Sequence, residues 1–126
     1  MNFKNLMIAT AIATICFGVG FIISPAFLGS LYGITTTVVS EFALRLYATA
    51  LIGIGILAWL FRQTQNREVK RAILIAFMVI DGGGFFVALT ANLGGIMNAF
   101  GWSLVVIFFL FTTAFAFLLF QQQRTD

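Results

Sequence analysis

Few side chains in this 126-residue sequence could do chemistry, and Asp81 is the first of them. It stands near the middle of the apolar run 72–91 and is followed directly by Gly82, Gly83 and Gly84. A carboxylate at the centre of a membrane helix costs at least about 2.5–3.5 kcal/mol, so such a residue faces a protein interior or a water-filled path. Two roles fit it: a proton or cation site, or a neutral, hydrogen-bonded acid that holds helices together. The second group is Glu41, Arg45 and Thr49, whose i, i+4, i+8 spacing aligns them on one helix face. Arg45 is the cation that lies inside an apolar run, which makes it the candidate partner for either carboxylate. Depth favours Glu41. Arg45 sits about 7.5 Å below Ser40 at 1.5 Å per residue, whereas Asp81 is nearer mid-span, and antiparallel helices would lean the two side chains apart. A local Glu41–Arg45 pair reaching the outer surface is therefore expected, with a Glu41–Arg45–Asp81 network as the alternative. Thr14 and Thr49 come close to Asp81 in depth, although threonines in helices most often bond their own backbone.

Other chemistries are missing from the composition. There is no His, and the single Cys16 cannot form an intramolecular disulfide or a Cys-x-x-Cys pair. Cys16 lies in an apolar run, where a thiol is expected to behave as a small buried hydrophobe. One mid-span Asp without a nucleophile–base pair or a ligand cluster gives no enzyme, and no metal or other cofactor is expected. The formal net charge of +3 is too small and too scattered to be the footprint of a nucleic-acid surface.

These residues must be carried by membrane helices. The chain is 61% hydrophobic and 9% charged, against about 25% charged in a soluble domain, and a small globule cannot hide that much apolar surface. The runs divide into four spans, at about 6–24, 40–61, 72–91 and 99–120. The expected fold is all-α: an integral membrane four-helix bundle, forming a single transmembrane domain over 1–126. The first run resembles a secretory signal peptide, but is longer than the usual apolar core of one. A retained helix is expected, ending near Ser24 because Pro25 disfavours helix in the residue before it. Residues 26–39 are too apolar for a free loop, so a short interfacial segment joins the first two helices, with Tyr32 at headgroup level. Ser40 is the expected N-cap of the second span, and Trp59 marks its far interface. Gly53 and Gly82 to Gly84 would let helices approach closely, or the triple Gly would loosen the third helix beside Asp81. The fourth span is rich in Phe, whose default place is against lipid.

Four spans put both termini and the polar loop 62–71 on one side. That side carries every basic residue except Arg45, so the positive-inside rule makes it cytoplasmic and the membrane a cell inner membrane. Arg62, Arg67, Lys70 and Arg71 could also contact anionic lipid headgroups, beside the simpler reading that they set topology.

The stretch 24–33 (SPAFLGSLYG), then Arg45-Leu46-Tyr47-Ala48, then 51–59 (LIGIGILAW) with Arg62, resembles small bacterial four-helix membrane proteins of the DoxX-like type and neighbouring families of unknown function. The likeness covers mainly residues 18–62 and implies a four-helix bundle with little chemistry of its own. The expected function is thus a non-enzymatic accessory or interaction subunit, whose partners are the lipid bilayer and another membrane protein or a homo-oligomer. A proton-coupled small transporter or channel subunit using Asp81 is the alternative.

Overall fold

A computed structural model describes residues 1–125. Five α-helices follow one another: α1 (Phe3–Ile23), α2 (Pro25–Leu31), α3 (Val38–Phe61), α4 (Arg67–Leu93) and α5 (Trp102–Arg124), with a 3-10 turn at Ala99–Gly101 leading into α5. The described residues contain no strand. Four helical segments, Phe3–Ile23, Val38–Phe61, Arg67–Leu93 and Ala99–Arg124, are long and apolar enough to cross a membrane. The chain divides into two compact units, one holding Lys4–Gln63 and the other Met1–Phe3 with everything from Thr64 onward.

In the Lys4–Gln63 unit, Pro25 has no N–H to continue α1, and the chain restarts at once as α2. Ser24 caps it by accepting from the Phe27 N–H, with Pro25 in the first helical turn. The segment read as interfacial is therefore itself largely helical. It closes in a Schellman turn: Gly33 has φ +76°, and the N–H groups of Ile34 and Gly33 donate to the carbonyls of Gly29 and Ser30. Tyr32, expected at headgroup level, packs into the chain and is only 6% accessible. The N-cap of α3 is Thr37 rather than Ser40. Thr37 is extended and accepts from the Ser40 N–H at 3.2 Å, while the Ser40 hydroxyl accepts from the Thr37 N–H at 2.7 Å. That reciprocal box satisfies two orphan donors, so the helix begins earlier than a Ser40 cap would allow.

Helices α1 and α3 meet through glycine. A Cβ on Gly18 would lie 2.7 Å from Ile52 Cγ1 and 2.9 Å from the Ala48 carbonyl oxygen, and one on Gly55 would lie 2.5 Å from Ile15 Cγ1. Gly53, the expected contact, has nothing within 4 Å of that position. Two residues along a helix turn the side chain about 200°, which is why Gly55 packs and Gly53 does not.

In the other unit α4 and α5 form an antiparallel hairpin. Asn66 caps α4 by accepting from the Val69 N–H, which starts the helix ahead of the apolar run. A second Schellman turn ends it, with Gly95 at φ +74° and the Ile96 N–H donating to the Ala91 carbonyl. The contact face is aromatic: Phe77 meets Phe115 edge-on with ring centres 5.5 Å apart, and Phe85 meets Phe109 at 5.8 Å. Phe115 is fully buried, whereas Phe109, Phe117 and Phe120 are more than half exposed. The phenylalanines of α5 thus divide between helix packing and the outer surface, instead of facing outward together.

Candidate functional site

Asp81 sits in the third turn before the end of α4, on the edge of the face that packs against α5. One turn before it, Phe77 meets Phe115, and one turn after it Phe85 meets Phe109. Beside it, a Cβ on Gly82 would lie 3.7 Å from Thr112 Cγ2. Asp81 therefore shares a level with Thr112 of α5. The Thr112 hydroxyl already donates to its own helix, to the Phe108 carbonyl at 2.7 Å. The carboxyl of Asp81 is half-buried, and no described residue hydrogen-bonds it. Helix α4 runs unbroken through the three glycines, so they do not open the backbone beside the acid. Gly84 packs instead: a Cβ there would lie 2.6 Å from the Phe108 ring, while Gly83 has nothing within 4 Å.

The other predicted residues belong to the Lys4–Gln63 unit, and each has a bond inside it. Glu41 accepts from the Thr36 hydroxyl at 2.8 Å. Arg45 donates through Nε to the Ile22 carbonyl at 3.3 Å. That carbonyl is in the last turn of α1, where Pro25 has interrupted the ladder, and a cation is favoured at a helix C-terminus. The bonds of Glu41 and Arg45 thus go to Thr36 and Ile22, not from one to the other. The sequence signal for Arg45 was present in Pro25: a helix halted there leaves carbonyls in need of a donor. Thr14 donates to the Thr10 carbonyl at 2.8 Å and Thr49 to the Leu46 carbonyl at 2.7 Å, each within its own helix. Cys16, expected to be buried, lies exposed on α1, because the buried stripe of that helix runs through Met7, Thr10, Ala11 and Gly18 instead.

The basic residues of 62–71 separate by role. Arg62 lies over the Trp59 ring, with its guanidinium carbon 3.9 Å from the ring centre. Arg67 donates to the Gln122 carbonyl at 2.9 Å, and the Gln122 amide returns a bond to the Arg67 carbonyl at 2.9 Å. Lys70 lies 5.4 Å above the ring centre of Phe3, and Arg71 borders a recess with Arg67 and Glu68. At the opposite end of the hairpin, Asn92 donates to the carbonyls of Ala88 and Gly101 at 3.0 and 3.1 Å, joining the end of α4 to the start of α5. The apolar runs leave Asn92 outside the spans, between 72–91 and 99–120. The glycine at 101, which leaves room for its amide, was the available clue.

Among the described residues no group of three His, Cys, Asp or Glu could hold a metal ion. Chemically, the Asp81 carboxyl can hold or release a proton, or enter a hydrogen bond with a group brought to it. Comparison with protein-family models, curated proteins and solved structures finds no match.

Proposed function

We propose that the chain is a multi-pass protein of a bacterial inner membrane, a four-helix bundle with both termini cytoplasmic. It acts by packing against another membrane component, as an accessory or interaction subunit. The DoxX-like grouping belongs to the same proposal and rests on the residues of 24–62 quoted above. One observation carries the reading: mid-helix Asp81 has no hydrogen-bonding partner among the described residues. Backbone donors inside a helix are already used, so the carboxyl needs a donor from outside its own helix to offset its cost in hydrocarbon.

The test is association of the full chain in native membranes, read by energy transfer between labelled copies and by the size of the complex in mild detergent. Asp81→Leu should abolish the complex while changing the melting temperature of the isolated chain little, because no internal bond is removed. A complex that survives Asp81→Leu would overturn the reading. The unpartnered acid also fits a proton-coupled transporter or channel subunit. In that case Asp81→Asn would spare association and abolish a pH-driven flux in proteoliposomes. Orientation is tested separately: single cysteines at Gln65 and after Arg124 should react from the cytoplasm, and those at Thr36 and Gly95 from the other side.

A further inference from the structure

We propose that the cleft at the polar end of the α4–α5 hairpin binds an anionic phospholipid. The cleft has a volume of about 460 Å³ and is bordered by Phe3, Arg67, Lys70, Leu74, Leu118 and Gln122, among others. Its walls are ordered by depth. Lys70 and Leu74 are four residues apart on α4, and Gln122 and Leu118 four apart on α5, so charged and amide groups stand about 6 Å outside an apolar pair. A phospholipid has the same order, a phosphate followed by acyl chain.

The charged side chains among the described residues that border the cleft, Arg67 and Lys70, are both positive. Arg67 is held in place by its bond to the Gln122 carbonyl and a 3.5 Å contact to the Thr125 hydroxyl. An adjoining recess of about 140 Å³ that shares Arg67 and Gln122 adds a third cation, Arg71, and one anion, Glu68, which leaves the surroundings net positive. Lys70 rests on the Phe3 ring, which keeps its ammonium at the mouth while its stem covers apolar surface. A free phosphate would be recognised by the same cations, but it would make no use of Leu74 and Leu118. The apolar wall therefore assigns the site to a lipid. This inference rests on the membrane reading above, and its test does not repeat that one, because binding is measured on purified protein whatever its topology.

The full chain, delipidated in an uncharged detergent, would be titrated with phosphatidylglycerol, with phosphatidylcholine of the same acyl chains, and with inorganic phosphate, and adducts followed by native mass spectrometry. Phosphatidylglycerol should bind at least about fivefold more tightly than phosphatidylcholine, and Lys70→Gln should remove about that factor. Lys70→Arg should restore it, which separates lost charge from lost fold. Equal binding of the two lipids, or an unchanged Lys70→Gln, would overturn the proposal. Displacement of phosphatidylglycerol by millimolar inorganic phosphate would also overturn it and mark a site for a free anion.

Discussion

The two units each place one charged side chain inside an apolar helix, and they treat it differently. In the Lys4–Gln63 unit, Arg45 reaches the Ile22 carbonyl exposed by the Pro25 break. In the α4–α5 unit, Asp81 finds no donor among the described residues. The difference follows from what a helix can offer. Carbonyl oxygens have two lone pairs and are left free at every C-terminal end, so a cation can be satisfied by the chain that carries it. Helical N–H groups past the first turn are all consumed, so an acid in mid-helix must be served by a side chain or by another molecule. Packing differs in the same way. The first unit brings α1 and α3 together through Gly18 and Gly55, and the second fills its interface with phenylalanine rings.

Substitutions can break this contrast, beginning with the largest effect. Gly55→Leu places atoms inside Ile15 and Thr14, which are branched at Cβ and cannot yield, so about 3 kcal/mol or more should be lost. Gly53→Leu, two residues earlier, should be tolerated. Thermal melting in detergent would read both, and equal losses would mean that α1 and α3 do not meet as described. Gly84→Ala should cost less, about 1–2 kcal/mol, because the Phe108 ring can swing. Gly83→Ala should be neutral or stabilise by up to about 1 kcal/mol through helix propensity. Arg45→Met should cost about 1 kcal/mol for a bond to a charged donor at an exposed site. Combined with Glu41→Gln its effect should add to within about 0.5 kcal/mol, since the two residues bond elsewhere. Larger coupling would restore the Glu41–Arg45 pair expected from spacing. Asp81→Asn should change melting least, by under about 0.5 kcal/mol, because no internal bond is removed.

The four long helices were legible from the apolar runs, because run length and scarcity of charge are properties of the chain alone. Their ends were less so. Asn66 starts α4 among charged residues and α5 continues through Gln121 to Gln123, since a capped or glutamine-rich turn is helical without being apolar. The Ser24-Pro25 signal that begins α2 was used only to end α1. The prominence of Asp81 was readable, because an acid in an apolar run is conspicuous whatever surrounds it. Its level with Thr112 and the choice of Gly55 over Gly53 were not. Each depends on which face of one helix meets which depth of another, and spacing within one helix does not carry that information.

The Schellman turn at Gly95 bears on the order of assembly. Only residues 94–101 separate α4 from α5, so closing this loop costs little chain entropy. Asn92 fastens the end of α4 to the start of α5 across it. The hairpin can therefore zip from its closed end, with Gly84 and Phe85 meeting Phe108 and Phe109 first, then Phe77 meeting Phe115. The cleft of Lys70 and Leu118 lies at the far end of that sequence, and it takes shape only when the last turn of the zipper has closed.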